Sequence, residues 1–191
     1  MNKRQKELLI KKYEEELAKL FSDADIQRNL GAGKVMKYSE LADYNDINQL
    51  LPNDKDFKVI LTEQQYNQGH WCCIMKYGKN GNIIEWFDSY GVKPDGQFRY
   101  INTISKHLLG QGGNPLTKML KETKRKDQKV FYNKRKFQTI DDRVSTCGRW
   151  CVARILAMLV GYELDDFINK VDEKVEETGK PPDILICDWI S

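Results

Sequence analysis

The chain has no run of about 18 or more apolar residues, so its sequence contains no membrane-spanning helix. Its first residues, MNKRQKELLIKKYEEE, are charged almost throughout and lack the apolar centre of a secretory signal. The expectation is a protein that starts in a reducing cytosol, is not secreted and does not engage a membrane. There are five cysteines, Cys72, Cys73, Cys147, Cys151 and Cys187, and an odd count in a chain without a signal argues against a disulfide framework. No Cys-x-x-Cys pair occurs, and the adjacent strand residues Cys72 and Cys73 point to opposite faces, so no metal site is assigned. Histidine is scarce: only His70 and His107 are available to any imidazole-based chemistry. Repeats, low-complexity linkers and composition breaks are also missing, which predicts one domain over residues 1–191. Net charge is +3, too small to make the whole chain a polyanion binder.

What is present is 40% apolar residues, enough for a packed core, in alternating helical and strand patterns. Leu9, Tyr13, Leu17 and Leu20 recur at helical spacing and predict an amphipathic helix over 3–20. Ser22 followed by Asp25 resembles a capping box that opens a short helix ending near Gly31. Ser39 is read as the cap of a third helix over 40–44. FKVIL (57–61), WCCIMKY (71–77) and IIEWF (83–87) read as strands, the last two joined by the turn Lys79-Asn80-Gly81-Asn82. Residues 98–109 read as one helix, 130–132 as a short strand, and CGRWCVARILAMLV (147–160) as a buried helix. A further helix is expected over 164–177, then Pro181-Pro182 and a last short element ending at Trp189. The fold expected is α+β: a small mixed sheet packed against helices, with a central helix starting at Cys147.

His70 lies at a strand edge beside the turn-rich Asn67-Gln68-Gly69, where a scaffold can hold a side chain rigid yet accessible. His107 lies inside the predicted 98–109 helix and is read as structural. The Asn-Gly turn folds 83–88 back along 71–77, bringing Asp88 toward His70, where a carboxylate would fix the imidazole tautomer. Ser145-Thr146 before a long apolar helix is an N-cap signal that places Cys147 in the first turn, where the helix dipole favours a thiolate. Gly148 is read as admitting a substrate backbone. Cys151, one turn deeper, fits a structural thiol better. The segment from Lys118 to Lys136 holds nine Lys and Arg residues against Glu122 and Asp127, dense enough to keep DNA in play as a partner.

The ordered set His70-Trp71, Asp88-Ser89, Gln138 and Cys147-Gly148 resembles the adenovirus maturation protease and its relatives, a superfamily that includes proteases of ubiquitin-like modifiers. The phrases GHW (69–71), EWFDSYG (85–91) and STCGRWC (145–151) are most similar to the maturation proteases of large DNA viruses and virophages. The resemblance spans about residues 23–160. It implies a cysteine endopeptidase that cleaves viral capsid and core precursors at Gly-containing sites, in the virion and in the host-cell cytoplasm or viral factory. In that reading Cys147 is the nucleophile, His70 the base, Asp88 its orienter and Gln138 an oxyanion donor, with Trp71 packed against the site. No cofactor is implied, although the adenovirus enzyme is stimulated by DNA and a peptide. Gln138 is spaced further from Cys147 than in those relatives, so residues 140–143 are expected to loop out. Two rival readings are a deconjugating protease for a ubiquitin-like modifier and a non-enzymatic DNA-binding or packaging protein.

Overall fold

The computed structural model describes residues 2–122 and 127–191, and these form an α+β fold around a five-stranded mixed sheet. Helix α1 (Lys3–Ala18) opens on a capping box in which Asn2 and Gln5 satisfy each other's backbone N–H. Its expected apolar stripe is largely in solvent: Leu9 and Leu20 are exposed, and Tyr13 and Leu17 only half-buried. Helix α2 (Asp23–Leu30) begins with the Ser22–Asp25 box read from the sequence and buries Ile26. Strand β1 (Val35–Lys37) is too short to show a period and was not foreseen. The third helix, expected over 40–44 with Ser39 as its cap, is a 3₁₀ helix, Tyr38–Asp43, that starts one residue before Ser39 and is closed by the Lys37 N–H on Glu40. Asp46 caps α3 (Ile47–Leu50).

Strands β2 (Phe57–Gln65), β3 (Gln68–Tyr77) and β4 (Ile83–Asp88) are longer than the apolar runs predicted, because polar Thr62, Glu63 and Gly69 continue the ladder. The turn-rich stretch 67–69 holds the tip of a tight β2–β3 hairpin at Asn67, φ 57°, while Gln68 and Gly69 already belong to β3. Gly69 is required there, since a Cβ would sit 2.0 Å from the Thr62 carbonyl oxygen. The single helix expected over 98–109 is two pieces. A 3₁₀ turn (Gly96–Tyr100) is followed by α4 (Thr103–Leu108), which Asn102 caps afresh through the Ser105 N–H. His107 is exposed on α4. After α5 (Pro115–Lys121) and β5 (Lys129–Tyr132) come α6 (Cys147–Leu159), α7 (Leu164–Thr178) and α8 (Pro182–Trp189).

The sheet order is β1-β2-β3-β4-β5, antiparallel at the centre and parallel at both outer pairs. Both faces are covered. Val59, Leu61, Trp71, Cys73 and Met75 face α6, with α7 and α8 in the same cluster, while Ile60, Cys72, Ile74 and Trp86 pack on Tyr38, Leu41, Leu116 and Met119. Two covered faces explain why WCCIM reads as an unbroken apolar run. Among the described residues no helix is long and apolar enough to cross a membrane.

A buried ion pair fastens α6 to the sheet. Arg154 donates to both oxygens of Glu85 on β4, at 2.8 and 2.7 Å, and both side chains are fully buried. Tyr77 donates to the same carboxylate at 2.5 Å. Removing one partner strands a buried charge. Arg154→Met is therefore expected to lower unfolding free energy by about 3–5 kcal/mol in urea titrations, and Glu85→Gln in the same chain to recover part of the loss.

Candidate active site

The strand register assembles the first half of the site. Cys72 on β3 pairs with Asp88, the last residue of β4, and His70 lies two residues further along the same face of β3. His70 Nε2 meets Asp88 Oδ1 at 2.9 Å, with both side chains buried. The Tyr90 N–H donates to the same oxygen at 2.8 Å, and the Tyr90 ring stacks on the imidazole with centroids 4.4 Å apart. Asn133 holds the other side of Asp88, accepting its N–H at 2.9 Å and donating to its carbonyl at 2.7 Å. Gly91 closes the turn at φ 71°, donating to the Asp88 carbonyl; a Cβ there would come 2.8 Å from the Lys134 carbonyl oxygen.

The second half arrives with α6. Strand β4 ends at Asp88, so the rung opposite Trp71 is missing. Cys147, the first residue of α6, stands at this gap, where His70 and the Trp71 and Gly148 N–H groups favour negative charge on its sulfur. Burial raises the Cys147 pKa, but the hydrogen bond and charge of His70, then the two N–H donors, outweigh it and leave the thiol below its ordinary value. Burial likewise works against the His70 imidazolium. Cys72, the Asp88 charge and hydrogen bond, and Cys147 overcome it and hold His70 well above the usual histidine value. For Cys72 the balance falls the other way: burial first, then the Asp88 charge, outweigh the charge and hydrogen bond of His70, push the thiol far upward and keep it neutral. Of the two thiols beside His70, Cys147 is thus the one disposed to ionise.

The other expected residues are placed as follows. Gln138 is buried near the cluster. Its carbonyl accepts the Ser89 hydroxyl at 2.8 Å, and its amide donates to the Val144 carbonyl at 2.9 Å and, more weakly, to Tyr90 Oη at 3.3 Å. The expected excursion after it is real: Ile140 is exposed, Arg143 folds onto Asp141, and the Val144 N–H closes on the Asp141 carbonyl. The Trp71 indole N–H donates to the Phe21 carbonyl at 2.8 Å. The sequence reading gave Gly148 to a substrate, but the structure fills its open space from within: a Cβ would meet Phe21 Cβ at 2.7 Å and the Trp71 ring at 3.2 Å. Two cavities flank the site. One of about 500 Å³ is lined by His70, Tyr90, Gln97, Ile140 and Val144, and one of about 460 Å³ by Phe21, Gly69 and Trp71; Gln64 borders both. Part of the basic run read as a DNA contact, 123–126, lies outside the described residues, and Arg135 is paired with Asp172.

No family model matches the chain. A Sputnik virophage protein carrying the name Uncharacterized protein V9 is 34% identical over 176 residues, which is 92% of this chain and 95% of that protein.

The chain belongs to the V9 family.

It is therefore a member of a viral protein family, and the match extends well beyond the 23–160 span of motif resemblance. In this V9-family fold several residues that sequence reasoning passed over hold the site together. Asn133 and Tyr90 fix Asp88 and His70. Thr146 stands at the N-cap of α6, but its hydroxyl does not cap; it donates to Asp183 at 2.6 Å. The other Asp183 oxygen accepts the Thr139 N–H, so one carboxylate closes the neck of the 139–146 loop just before Cys147. Arg149, fully buried, donates to Glu16 and to the carbonyls of Glu16, Lys19 and Ile190. The only sequence signals were an Asp after Pro181-Pro182 and an Arg in an apolar helix.

Two expectations test this arrangement. Gly148→Ala overpacks the contact with Phe21 and Trp71 and is expected to cost about 1–3 kcal/mol in thermal or urea unfolding. The Cys147–His70 pair titrates as a unit, its acid limb lying below the ordinary thiol value and its alkaline limb above the ordinary histidine value. Iodoacetamide should therefore alkylate Cys147 at pH values where an ordinary thiol is inert, and His70→Ala should move that onset upward.

Proposed function

We propose that this chain is a cysteine endopeptidase with Cys147 as nucleophile and His70 as its acid–base partner. The observation that carries the reading is the His70–Asp88 pair set against a lowered-pKa thiol at the first turn of a buried helix. In this mechanism the Cys147 sulfur attacks the scissile carbonyl carbon and the carbonyl electrons move to oxygen. The His70 imidazolium gives its proton to the departing amine as the C–N bond breaks, leaving an acyl-enzyme thioester. Neutral His70 then takes a proton from water, whose oxygen attacks the thioester and releases the acid and the thiolate. Asp88 keeps Nε2 occupied, which leaves Nδ1 for the thiol.

The backbone N–H of Cys147 and the Gln138 amide serve the developing oxyanion. Gln138 reaches it by releasing its longer bond, the one to Tyr90 Oη, while Ser89 holds the carbonyl end. The substrate chain crosses the line marked by Gln64 between the two cavities. Its class, by resemblance, is a capsid or core precursor with Gly at the cleavage site, processed in the virion or viral factory. The virophage relative supports the viral setting. The buried packing of Gly148 and Trp71 supports a supporting role for both rather than direct substrate contact.

The test is hydrolysis of Gly-containing precursor peptides. Cys147→Ala should abolish turnover, His70→Ala should lower it by about 10²–10⁴, and Gln138→Ala should lower kcat by about 10²–10³ with KM little changed. Turnover that survives Cys147→Ala would exclude the mechanism.

A further inference from the structure

The strand register that pairs His70 with Asp88 also brings Cys72, a thiol the proposed mechanism does not use, into one cluster of metal donors with them. His70, Cys72 and Asp88 are all buried, and one donor atom from each lies within 4.8 Å of the others. The second oxygen of Asp88, Oδ2, is buried without a hydrogen-bond partner among the described residues. An unpartnered buried carboxylate oxygen calls for an explanation. Here it stands beside a neutral thiol and an imidazole, both of which become ligands when they lose a proton.

We infer that His70, Cys72 and Asp88 form a binding site for a thiophilic divalent cation of the Zn²⁺ class, and that occupancy switches the proposed protease off. Nitrogen, sulfur and oxygen donors together suit Zn²⁺, whose tetrahedral bond lengths space the donors about 3–4 Å apart, a modest contraction from the present cluster. The sequence reading set metal aside because Cys72 and Cys73 diverge. The register supplies the missing partner across the ladder instead, pairing Cys72 with Asp88. The cation reaches the cluster from the cavity of about 500 Å³ that His70 lines. On binding, the Cys72 thiol proton and the proton shared by His70 Nε2 and Asp88 leave to solvent. The metal takes Nε2 and the carboxylate, the fourth position being open to water. The hydrogen bond that orients His70 is thereby lost, so the bound form cannot relay protons for Cys147.

The site itself stands apart from the protease reading; only its inhibitory consequence rests on that reading. Co²⁺ replaces Zn²⁺ as a spectroscopic probe, titrated into the Cys147→Ala protein so that the nucleophile cannot supply the thiolate. Expected is a thiolate-to-cobalt charge-transfer band with 1:1 stoichiometry, displaced by Zn²⁺, retained in Cys151→Ala and lost in a folded Cys72→Ala. Should Cys72→Ala not fold, Asp88→Asn serves as the second variant and is expected to weaken binding at least tenfold. No thiolate band, or one that persists without Cys72, overturns the site. In the unmodified protein, turnover should stop at stoichiometric Zn²⁺ and return with a chelator. A cobalt band in a protein that hydrolyses no peptide would uphold the site and sink the protease reading. Hydrolysis unaffected by saturating Zn²⁺ would uphold the protease reading and overturn the switch.

Discussion

The site depends on where one strand stops. Strand β3 continues past the end of β4, so the Trp71 N–H faces no ladder partner and is free for the Cys147 sulfur. A buried backbone donor calls for a polar partner, and the group set against this one is the thiol at the start of α6. The N–H stabilises negative charge on sulfur more than on a neutral thiol, so the missing rung is itself a source of the lowered thiol pKa. Asp88 ends β4 at the point that makes this possible and supplies the carboxylate for His70 in the same position.

Holding α6 in that gap takes several unrelated anchors. The Glu85–Arg154 pair ties its body to β4, and Arg149 ties its first turns to the chain leaving α1. Phe21 sits over Gly148 and accepts from Trp71, so residues just after α1 touch both halves of the cluster. The Ser145 N–H bonds to the Leu17 carbonyl. Helix α1 contributes no fully buried side chain, so its C-terminal end, rather than its face, is what the rest of the fold uses.

Much of this was legible in the residues. The strands around the Asn-Gly turn, the Ser22–Asp25 box and the helix starting at Cys147 followed from period and capping chemistry. The approach of Asp88 to His70 followed from hairpin geometry. What stayed hidden was set by tertiary contact. Polar Thr62 and Glu63 extend β2 because Gln97 and Gln111 meet them, a pairing over long sequence separation that no local pattern records. The 98–109 periodicity misled: Asn102 restarts the helix midway, and Ile104 and Leu108 on α4 are exposed. Gly148 looked like an opening for substrate because sequence shows a small residue and not the Phe21 side chain and Trp71 ring that fill the space. Thr146 looked like a cap, yet Asp183, far along the chain, takes its hydroxyl.

The central claim is that the Cys147 sulfur becomes acylated. Its most direct measurement is mass spectrometry of the protein quenched in acid during turnover of a Gly-containing peptide. The account predicts one added acyl group, mapped to Cys147, that decays as product acid appears and is lost when Cys147 or His70 is replaced by Ala. An acyl group on Cys72 or Cys187, or steady hydrolysis with no acylated protein at any time, would contradict it.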